Sequence, residues 1–188
     1  MKTQAGRWCL GTYNNERLYI FYCTDANVNN NNNVATANIQ FGENGKIYGS
    51  GGWGDYAELR TCVQNQPGRC VYEKGDGSLE ITSERLTRGS HIISDTYGML
   101  IGPEGDNKVA VGVSGRVLAY IYEGREEASK HIGWPVCSGP NGTVSIMAEE
   151  EEQKYPSRII GTISEIPTYE TWSADNVQVN GRIWIHIK

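Results

Sequence analysis

The chain has 188 residues, which is enough for one sizeable domain, or for one domain with a small appendage. Its formal net charge is -5 and no run is rich in lysine or arginine, which argues against nucleic acid or an anionic membrane as the main partner. No apolar run reaches transmembrane length and no apolar signal core follows Met1–Arg7, so we expect a soluble protein made in a cytosol.

The first 54 residues have the composition of an extended β segment. Arg17–Tyr22 is rich in aromatic and branched residues, and Ile39–Phe41 and Lys46–Tyr48 flank an Asn-Gly dipeptide, which is a strong hairpin signal. The asparagine run Asn29–Asn33 has no apolar partner and predicts a loop. Because residues 1–54 hold too little apolar material for a core, we expect a fibre-like segment that pairs with other copies.

The stretch Gly54-Asp55-Tyr56-Ala57-Glu58 follows the glycine-rich run Gly49–Trp53 and places two carboxylates three residues apart. Positions i and i+3 face opposite sides of a strand but the same side of a helical turn, so this carboxylate pair requires a turn. Two carboxyl groups held close together cannot easily both ionise, so one stays protonated near neutral pH. Such a pair supplies the base and the acid that peptide hydrolysis by water needs.

A structural interpretation of the same residues stays open. Asp55 followed three residues later by Glu58 is also the pattern of a capping box, in which Asp55 caps a backbone N–H at the start of a helix and Glu58 reaches back. In that case the two acids stabilise a helix start and have no catalytic role.

The rest of the chain predicts a mainly β domain with one short helix. Short runs of branched and aromatic residues, each bounded by Gly, Pro, Asn or Asp, have the spacing of a small barrel or sandwich-like domain. The predicted strands are Cys70–Glu73, Leu79–Thr82, His91–Ile93, Val109–Tyr122, Ile159–Ser164 and Val177–Ile187. The helix is predicted over Ile146–Lys154, before Pro156, with its four glutamates facing solvent.

An internal echo adds a prediction about two arginines. The runs Val111–Ile121 and Val177–Ile187 align, with Ser114-Gly115 and Asn180-Gly181 at matching positions, which predicts two equivalent hairpins with tight turns. Arg116 and Arg182 then begin matching strands, where either could support a nearby carboxylate. The cysteines lack a Cys-x-x-Cys pair and the histidines are isolated, so the sequence predicts neither a metal site nor a cofactor.

The stretch from Ile39 through the Asp-Tyr-Ala-Glu element resembles the entry to the autoproteolytic intramolecular-chaperone domain of bacteriophage tail-spike and neck-appendage proteins. The matching segments downstream are Tyr97–Gly102, Val111–Val117, Tyr155–Ser164 and Val179–Ile185, so that the resemblance covers about residues 37 to 188. It implies a homotrimeric chaperone that cuts its own chain immediately before the Asp of this element, with the Asp and the Glu as catalytic residues of glutamic-peptidase type.

Carried onto this chain, the resemblance implies cleavage of the Gly54–Asp55 bond by Asp55 and Glu58, in a single turnover with the chain as its own substrate. The upstream part, residues 1–54, would be separated from an autoprocessing domain, residues 55–188. Some family members have a serine where this chain has Gly54, so a mechanism that needs a hydroxyl there is excluded. A shift of the acyl group onto a Ser, Thr or Cys side chain is excluded too, because the new N-terminus is Asp55. Attack by water remains.

Two functions therefore remain from the sequence. The first is a self-cleaving chaperone domain that acts in the host cytoplasm during assembly and leaves residues 1–54 in the virion tail. The second is a trimerising or fibre-tip module, such as a receptor-binding tip, that does not cleave. In both, the expected partners are other copies of the chain and its own upstream segment.

Overall fold

The computed structural model describes residues 6–13, 17–24, 37–42, 47–49, 54–173 and 175–188. The chain divides into two compact units, Met1–Gly52 and Trp53–Lys188. The division falls two residues before the predicted boundary at the Gly54–Asp55 bond, and both residues of that bond belong to the second unit. The boundary between residues 54 and 55 itself stays a prediction.

The first unit is an antiparallel sheet whose strands follow one another in chain order: β1 (Gly6–Tyr13), β2 (Arg17–Thr24), β3 (Ala37–Gly42) and β4 (Ile47–Gly49). The predicted strand Arg17–Tyr22 lies within β2, and β3 pairs with β4 as the hairpin signal predicts. These strand predictions are confirmed. The asparagine run and the Asn-Gly dipeptide lie outside the described residues. Pairing with other copies stays a prediction.

The second unit is mainly β, as predicted. Its strands are β5 (Asp55–Thr61), β6 (Cys70–Glu73), β7 (Leu79–Ile81), β8 (Ser90–Ile92), β9 (Tyr97–Ile101), β10 (Lys108–Ala119), β11 (Pro135–Ser138), β12 (Val144–Ile146), β13 (Gly161–Glu165), β14 (Thr171–Trp172), β15 (Val177–Gln178) and β16 (Ile183–Ile187). Its helices are α1 (Arg125–Ser129) and α2 (Glu149–Lys154).

The main sheet has seven strands in the order β12-β11-β13-β16-β10-β5-β9. Neighbouring strands are antiparallel except β5 and β9, which run parallel. Both β12 and β9 are edge strands, so the described residues do not close a barrel and the barrel alternative is wrong. A second sheet, in the order β7-β6-β8, and the ribbon β14-β15 accompany it.

Two of the three buried apolar clusters join the main sheet to the small one. The larger contains side chains from β10, β11, β13 and β16, with Val117, Ile163 and Ile185 among its buried members. The second contains Val71 of β6 and Leu79 of β7 together with side chains of β10, so it joins the small sheet to the main one. Strand β10 supplies both clusters and carries β5 on one side and β16 on the other.

The predicted helix is confirmed in a shorter form. Helix α2 begins at Glu149, three residues after the predicted start, and ends at Lys154, before Pro156. Its four glutamates lie in the first turn, where their negative charges interact favourably with the positive end of the helix dipole. The sequence did not predict α1. In the part of the chain that the structure describes, no helix is long and apolar enough to span a membrane.

The predicted equivalence of the two echoing segments is wrong. Asn180 and Gly181 form a turn with left-handed backbone, at φ 49° and 76°. Ser114 and Gly115 instead lie within β10, which continues through them to Ala119 with only an irregularity in its pairing to β5. The same residue pattern therefore forms a turn between short strands in one place and an unbroken strand between two neighbours in the other.

Candidate active site

The Gly54–Asp55 peptide bond lies at the start of β5, between β9 and β10. Asp55 is paired with Gly115 of β10 on one side and with Tyr97 of β9 on the other. The predicted scissile bond is therefore held where a strand enters the main sheet.

The Asp55 carboxyl group is buried, with the residue 5% exposed. One oxygen, Oδ1, accepts hydrogen bonds from Ser94 Oγ at 2.9 Å and from Thr96 Oγ1 at 2.8 Å. The other, Oδ2, is buried and has no hydrogen-bond partner among the described residues. A Cβ atom on Gly112 would lie 2.6 Å from Ile187 Cδ1, 2.6 Å from Val117 Cγ2 and 3.2 Å from Oδ2, so the side of the glycine that faces this oxygen is closely packed. One oxygen is therefore fixed by two hydroxyl donors, and the other is buried without a partner among the described residues.

This environment raises the pKa of Asp55 from 3.8 to about 6. Burial is the main cause, because it penalises the charged carboxylate. The hydrogen bonds from Thr96 and Ser94 oppose it by stabilising the ionised form, and the negative charge of Asp95 adds a smaller upward effect on the pKa. Asp55 thus changes protonation near neutral pH, as an acid-base group in a peptidase must.

The backbone of Gly54 is hydrogen-bonded on both sides. Its carbonyl oxygen accepts the backbone N–H of Arg116 at 2.7 Å, and its own N–H donates to the carbonyl of Thr96 at 3.0 Å. The first of these bonds places a donor on the oxygen that becomes negative when the carbonyl carbon is attacked. The sequence did not predict this donor, because it belongs to the backbone.

The same peptide is tightly surrounded. A Cβ atom on Gly54 would lie 2.8 Å from the carbonyl oxygen of Arg116 and 2.9 Å from that of Thr96. On the other side, Gly115 has φ +108°, and a Cβ there would lie 2.6 Å from the Gly54 oxygen and 2.8 Å from Asp55 Cα. Some members of the family that this sequence resembles have a serine at this position. A serine side chain at position 54 would require the backbone to shift.

The structure does not bring Glu58 to Asp55 within one chain. Residues 55–58 belong to the extended strand β5, so both the predicted turn and the capping-box alternative are wrong. Buried Asp55 and Ala57 alternate with the partly exposed Tyr56 and Glu58, which places the two carboxyl groups on opposite faces. The Glu58 side chain is 43% exposed and lies 3.7 Å from Arg60 Nη1. Catalysis by Glu58 stays a prediction that now lacks the geometry on which it depended.

Both predicted support arginines bind carboxylates, but neither binds Asp55 or Glu58. The Arg116 guanidinium lies 3.0 Å from Glu165 and over the Trp184 ring. Arg182 binds Asp95 with both terminal nitrogens, at 2.8 and 2.9 Å. Arg116 reaches the Gly54–Asp55 peptide through its backbone N–H, and Arg182 reaches Asp55 only through the segment that contains Asp95.

The residues that the sequence interpretation missed are the hydroxyl donors Ser94 and Thr96. They flank Asp95 in a short polar segment between the apolar stretches that form β8 and β9. Three consecutive polar residues between two buried or sheet-forming runs are a signal that could have drawn attention to them. In the described ranges no group of three or more His, Cys, Asp or Glu side chains is placed to hold a metal ion.

The fold and the site together define a mainly β unit with a buried aspartyl peptide bond at the start of an inner strand. Comparison of the chain with models of known families, with curated proteins and with solved structures gave no match. The function proposed for the chain therefore depends on the residues around the Gly54–Asp55 bond.

Proposed function

We propose that the second unit is a self-cleaving module that hydrolyses its own Gly54–Asp55 bond once. The observation that carries this proposal is the Asp55 carboxyl group itself: it is buried, its pKa is about 6, and one of its oxygens has no partner among the described residues. It is attached to the same Cα as the nitrogen of the bond to be cut, so no docking step is needed to bring it there.

The chemistry needs one water molecule and the Asp55 carboxylate. Oδ2 accepts a proton from the water as its oxygen bonds to the Gly54 carbonyl carbon, and the carbonyl oxygen becomes negative while it accepts the Arg116 N–H. The carbon–nitrogen bond then breaks, and the proton on Oδ2 passes to the departing nitrogen of Asp55. The first products are a carboxylic acid at Gly54 and an amino group at Asp55, with the Asp55 side chain ionised again. The new acid then gives its proton to the new amino group or to solvent, which leaves a carboxylate at Gly54.

This mechanism differs from the predicted carboxylate pair in using Asp55 for both proton transfers. The N–H of Arg116 stabilises the developing negative charge, which reduces the need for a second acid. Ser94 and Thr96 hold Oδ1, so the two oxygens of one carboxyl group have different roles. Glu58 lies on the other face of β5, and this mechanism does not need it.

The resemblance to phage intramolecular chaperones supplies the biological setting of the proposal. The module would assist assembly of a homotrimeric tail spike or fibre in the host cytoplasm and would then be cut from residues 1–54, which would stay in the virion tail. Such a protein needs to cut only its own chain, and a site that is built around one peptide bond suits a single turnover.

The test is the intact mass of freshly purified protein, followed during incubation between pH 5 and 8. We expect two fragments, residues 1–54 and 55–188, whose masses sum to the parent mass plus one water. Asp55→Asn should stay uncut, because its side chain cannot accept the proton, whereas Glu58→Gln should cleave at a rate within a few-fold of the wild type. If Glu58→Gln stays folded but uncut, the mechanism that uses both Asp55 and Glu58 is supported instead. If the wild type stays uncut throughout, self-cleavage is refuted.

A second function, assembly without cleavage, is favoured by the edge strand β9. Four of its five residues are apolar and exposed: Tyr97, Met99, Leu100 and Ile101 are each 38% to 44% exposed. Exposed apolar edge strands offer unpaired backbone groups to another chain. If the wild type assembles and never cleaves, this second function replaces the first.

A further inference from the structure

The Ser94–Thr96 segment, which holds Asp55, is itself held by an ion pair between buried Arg182 and partly exposed Asp95. Arg182 is 2% exposed, and its terminal nitrogens bind the two Asp95 oxygens at 2.8 and 2.9 Å. This is the bidentate geometry in which an arginine fixes both the position and the orientation of a carboxylate. Asp95 lies between the two hydroxyl donors, so a constraint on Asp95 constrains both neighbours.

Arg182 is in turn fixed by the turn that precedes β16. Its Nε donates to the Val179 carbonyl at 3.1 Å, and Nη2 also donates to the Gln178 carbonyl. The guanidinium therefore joins the Val179–Arg182 turn to the Asp95 segment, which comes 87 residues earlier in the chain. Four of the five N–H donors of this side chain are occupied by these partners, which suits a fixed bridge.

The segment has a second set of constraints on its other side. The Ser94 N–H donates to the Ala110 carbonyl of β10 at 2.8 Å, and the Thr96 N–H donates to Ser94 Oγ at 3.0 Å. The backbone is thus anchored to β10, while the Asp95 side chain, on the opposite side of the chain from its two neighbours, is anchored to Arg182. With both anchors in place, the hydroxyls of Ser94 and Thr96 converge on one oxygen of Asp55.

We propose that Asp95 and Arg182 are positioning residues for self-cleavage: their ion pair holds Ser94 and Thr96 so that both hydroxyls bind Asp55 Oδ1 and leave Oδ2 as the oxygen that exchanges protons. The effect of this ion pair on cleavage rests on the proposed function. Its effect on the hydrogen bonds and the pKa of Asp55 does not, and can be measured separately. A buried arginine is costly to desolvate, and an ion pair of this kind is weak evidence for stability. The need to hold the hydroxyl donors Ser94 and Thr96 in place is a reason for a charged pair at this position.

The test variant is Arg182→Lys. It keeps the charge and most of the apolar stem but loses the guanidinium group whose two terminal nitrogens bind both Asp95 oxygens. The matched control is Arg85→Lys, because Arg85 also binds a carboxylate with two nitrogens, that of Glu151, elsewhere in the unit. Because the hydroxyls stabilise ionised Asp55, loosening them in Arg182→Lys should raise the pKa of Asp55 by roughly one unit. That shift lowers the ionised fraction at pH 6, and hence the cleavage rate there, roughly fivefold.

The measurement depends on whether the wild type cleaves. If it does, the pH at which the cleavage rate is half-maximal is compared among wild type, Arg182→Lys and Arg85→Lys, and only Arg182→Lys should move upward. If the wild type does not cleave, the proposed function fails, and the positioning inference is tested alone by carbon-13 NMR titration of the Asp55 carboxyl group. An unchanged midpoint or pKa in folded Arg182→Lys would overturn the inference, as would an equal shift in Arg85→Lys.

Asp95→Asn is the second variant should Arg182→Lys not fold. It removes the ion pair and also the negative charge that raises the pKa of Asp55, so the two effects oppose each other. The hydrogen bonds from Thr96 and Ser94 influence the pKa more than Asp95 does, so we still expect an upward shift, smaller than in Arg182→Lys. A downward shift would show that Asp95 acts only through its charge and would overturn the positioning role.

Discussion

Removing the Thr96 hydroxyl should move the pH dependence of self-cleavage to higher pH. In Thr96→Val a methyl group replaces the hydroxyl that donates to Asp55 Oδ1 at 2.8 Å, with little change in side-chain volume. The proposed base is ionised Asp55, so the wild-type rate should rise with pH through the Asp55 pKa of about 6 and then level off. Thr96→Val should show the same shape with a higher midpoint.

The size of the shift follows from the lost hydrogen bond. A hydrogen bond to an ionised acceptor contributes about 1.5–3 kcal/mol, and each pKa unit corresponds to about 1.4 kcal/mol. Because the donation stabilises only the ionised form to this extent, its loss should raise the pKa of Asp55 by about one to two units. The midpoint should therefore move from about 6 to between about 7 and 8, with Ser94 still donating.

The assay is a time course of intact mass at each pH, with the rate taken from the fraction of parent chain that remains. Thr82→Val is the matched control: Thr82 is 1% exposed, and its hydroxyl donates to the carbonyls of Cys70 and Gly139, not to Asp55. It should cleave with the wild-type midpoint. An unshifted midpoint in Thr96→Val, or an equal shift in Thr82→Val, would refute Asp55 as the group that sets the pH dependence.

Three further predictions concern stability and assembly. Gly54→Ala should lower the free energy of unfolding by about 1–3 kcal/mol in a urea titration, because its Cβ would lie 2.8 Å from the Arg116 carbonyl oxygen; an unchanged midpoint would show that the peptide is not confined. The Asp55 pKa is raised from 3.8 to about 6, so the folded state binds the proton more tightly, and the uncut wild type should lose about 3 kcal/mol of stability as the pH rises through this window. Asp55→Asn, compared at pH 3.5 and 7, should not show this loss, and an equal loss in both proteins would contradict the raised pKa. Leu100→Lys on β9 should weaken any self-association seen by analytical ultracentrifugation, whereas an unchanged sedimentation profile would remove β9 from the interface.

The general architecture could be predicted from the sequence because its signals are local. The branched and aromatic residues of β6, β13 and β16 and the turn residues that bound them indicate strands whatever surrounds them. The run of glutamates before Pro156 likewise indicates a short helix. None of these elements needs a distant partner to be recognised.

The conformation of the Asp55–Glu58 stretch could not be predicted in the same way. Its pattern of acids three apart suits a helix start as well as a turn, yet the stretch is extended because β9 and β10 pair with it on both sides. Those partners come about 40 and 55 residues later in the chain, and no local rule places them there. Once the stretch is a strand, the alternation of its faces separates the two carboxyl groups that the sequence placed together.

The same reasoning explains why Ser94, Thr96 and the N–H of Arg116 were missed. Their roles depend on which strands lie next to β5, and a backbone donor leaves no mark in a sequence. The echo that pointed to Arg182 is not formed in the structure, yet Arg182 does bind a carboxylate, that of Asp95. Its role as a support for the site stays a prediction.

The position of Gly54 at the entrance to the sheet gives the proposed cleavage a direction. Upstream of the bond, Gly54 is held through its own N–H and carbonyl by Thr96 and Arg116. Downstream, Asp55 begins a strand that is paired along its length with β10. Cutting between them leaves the downstream product anchored by the whole strand, whereas Gly54 keeps only its two backbone hydrogen bonds. The module should therefore remain folded after cleavage, and the restored Asp55 carboxylate should be left facing a new amino group rather than another peptide bond. Such a site would consume its only substrate when it acts, as a single-turnover protease should.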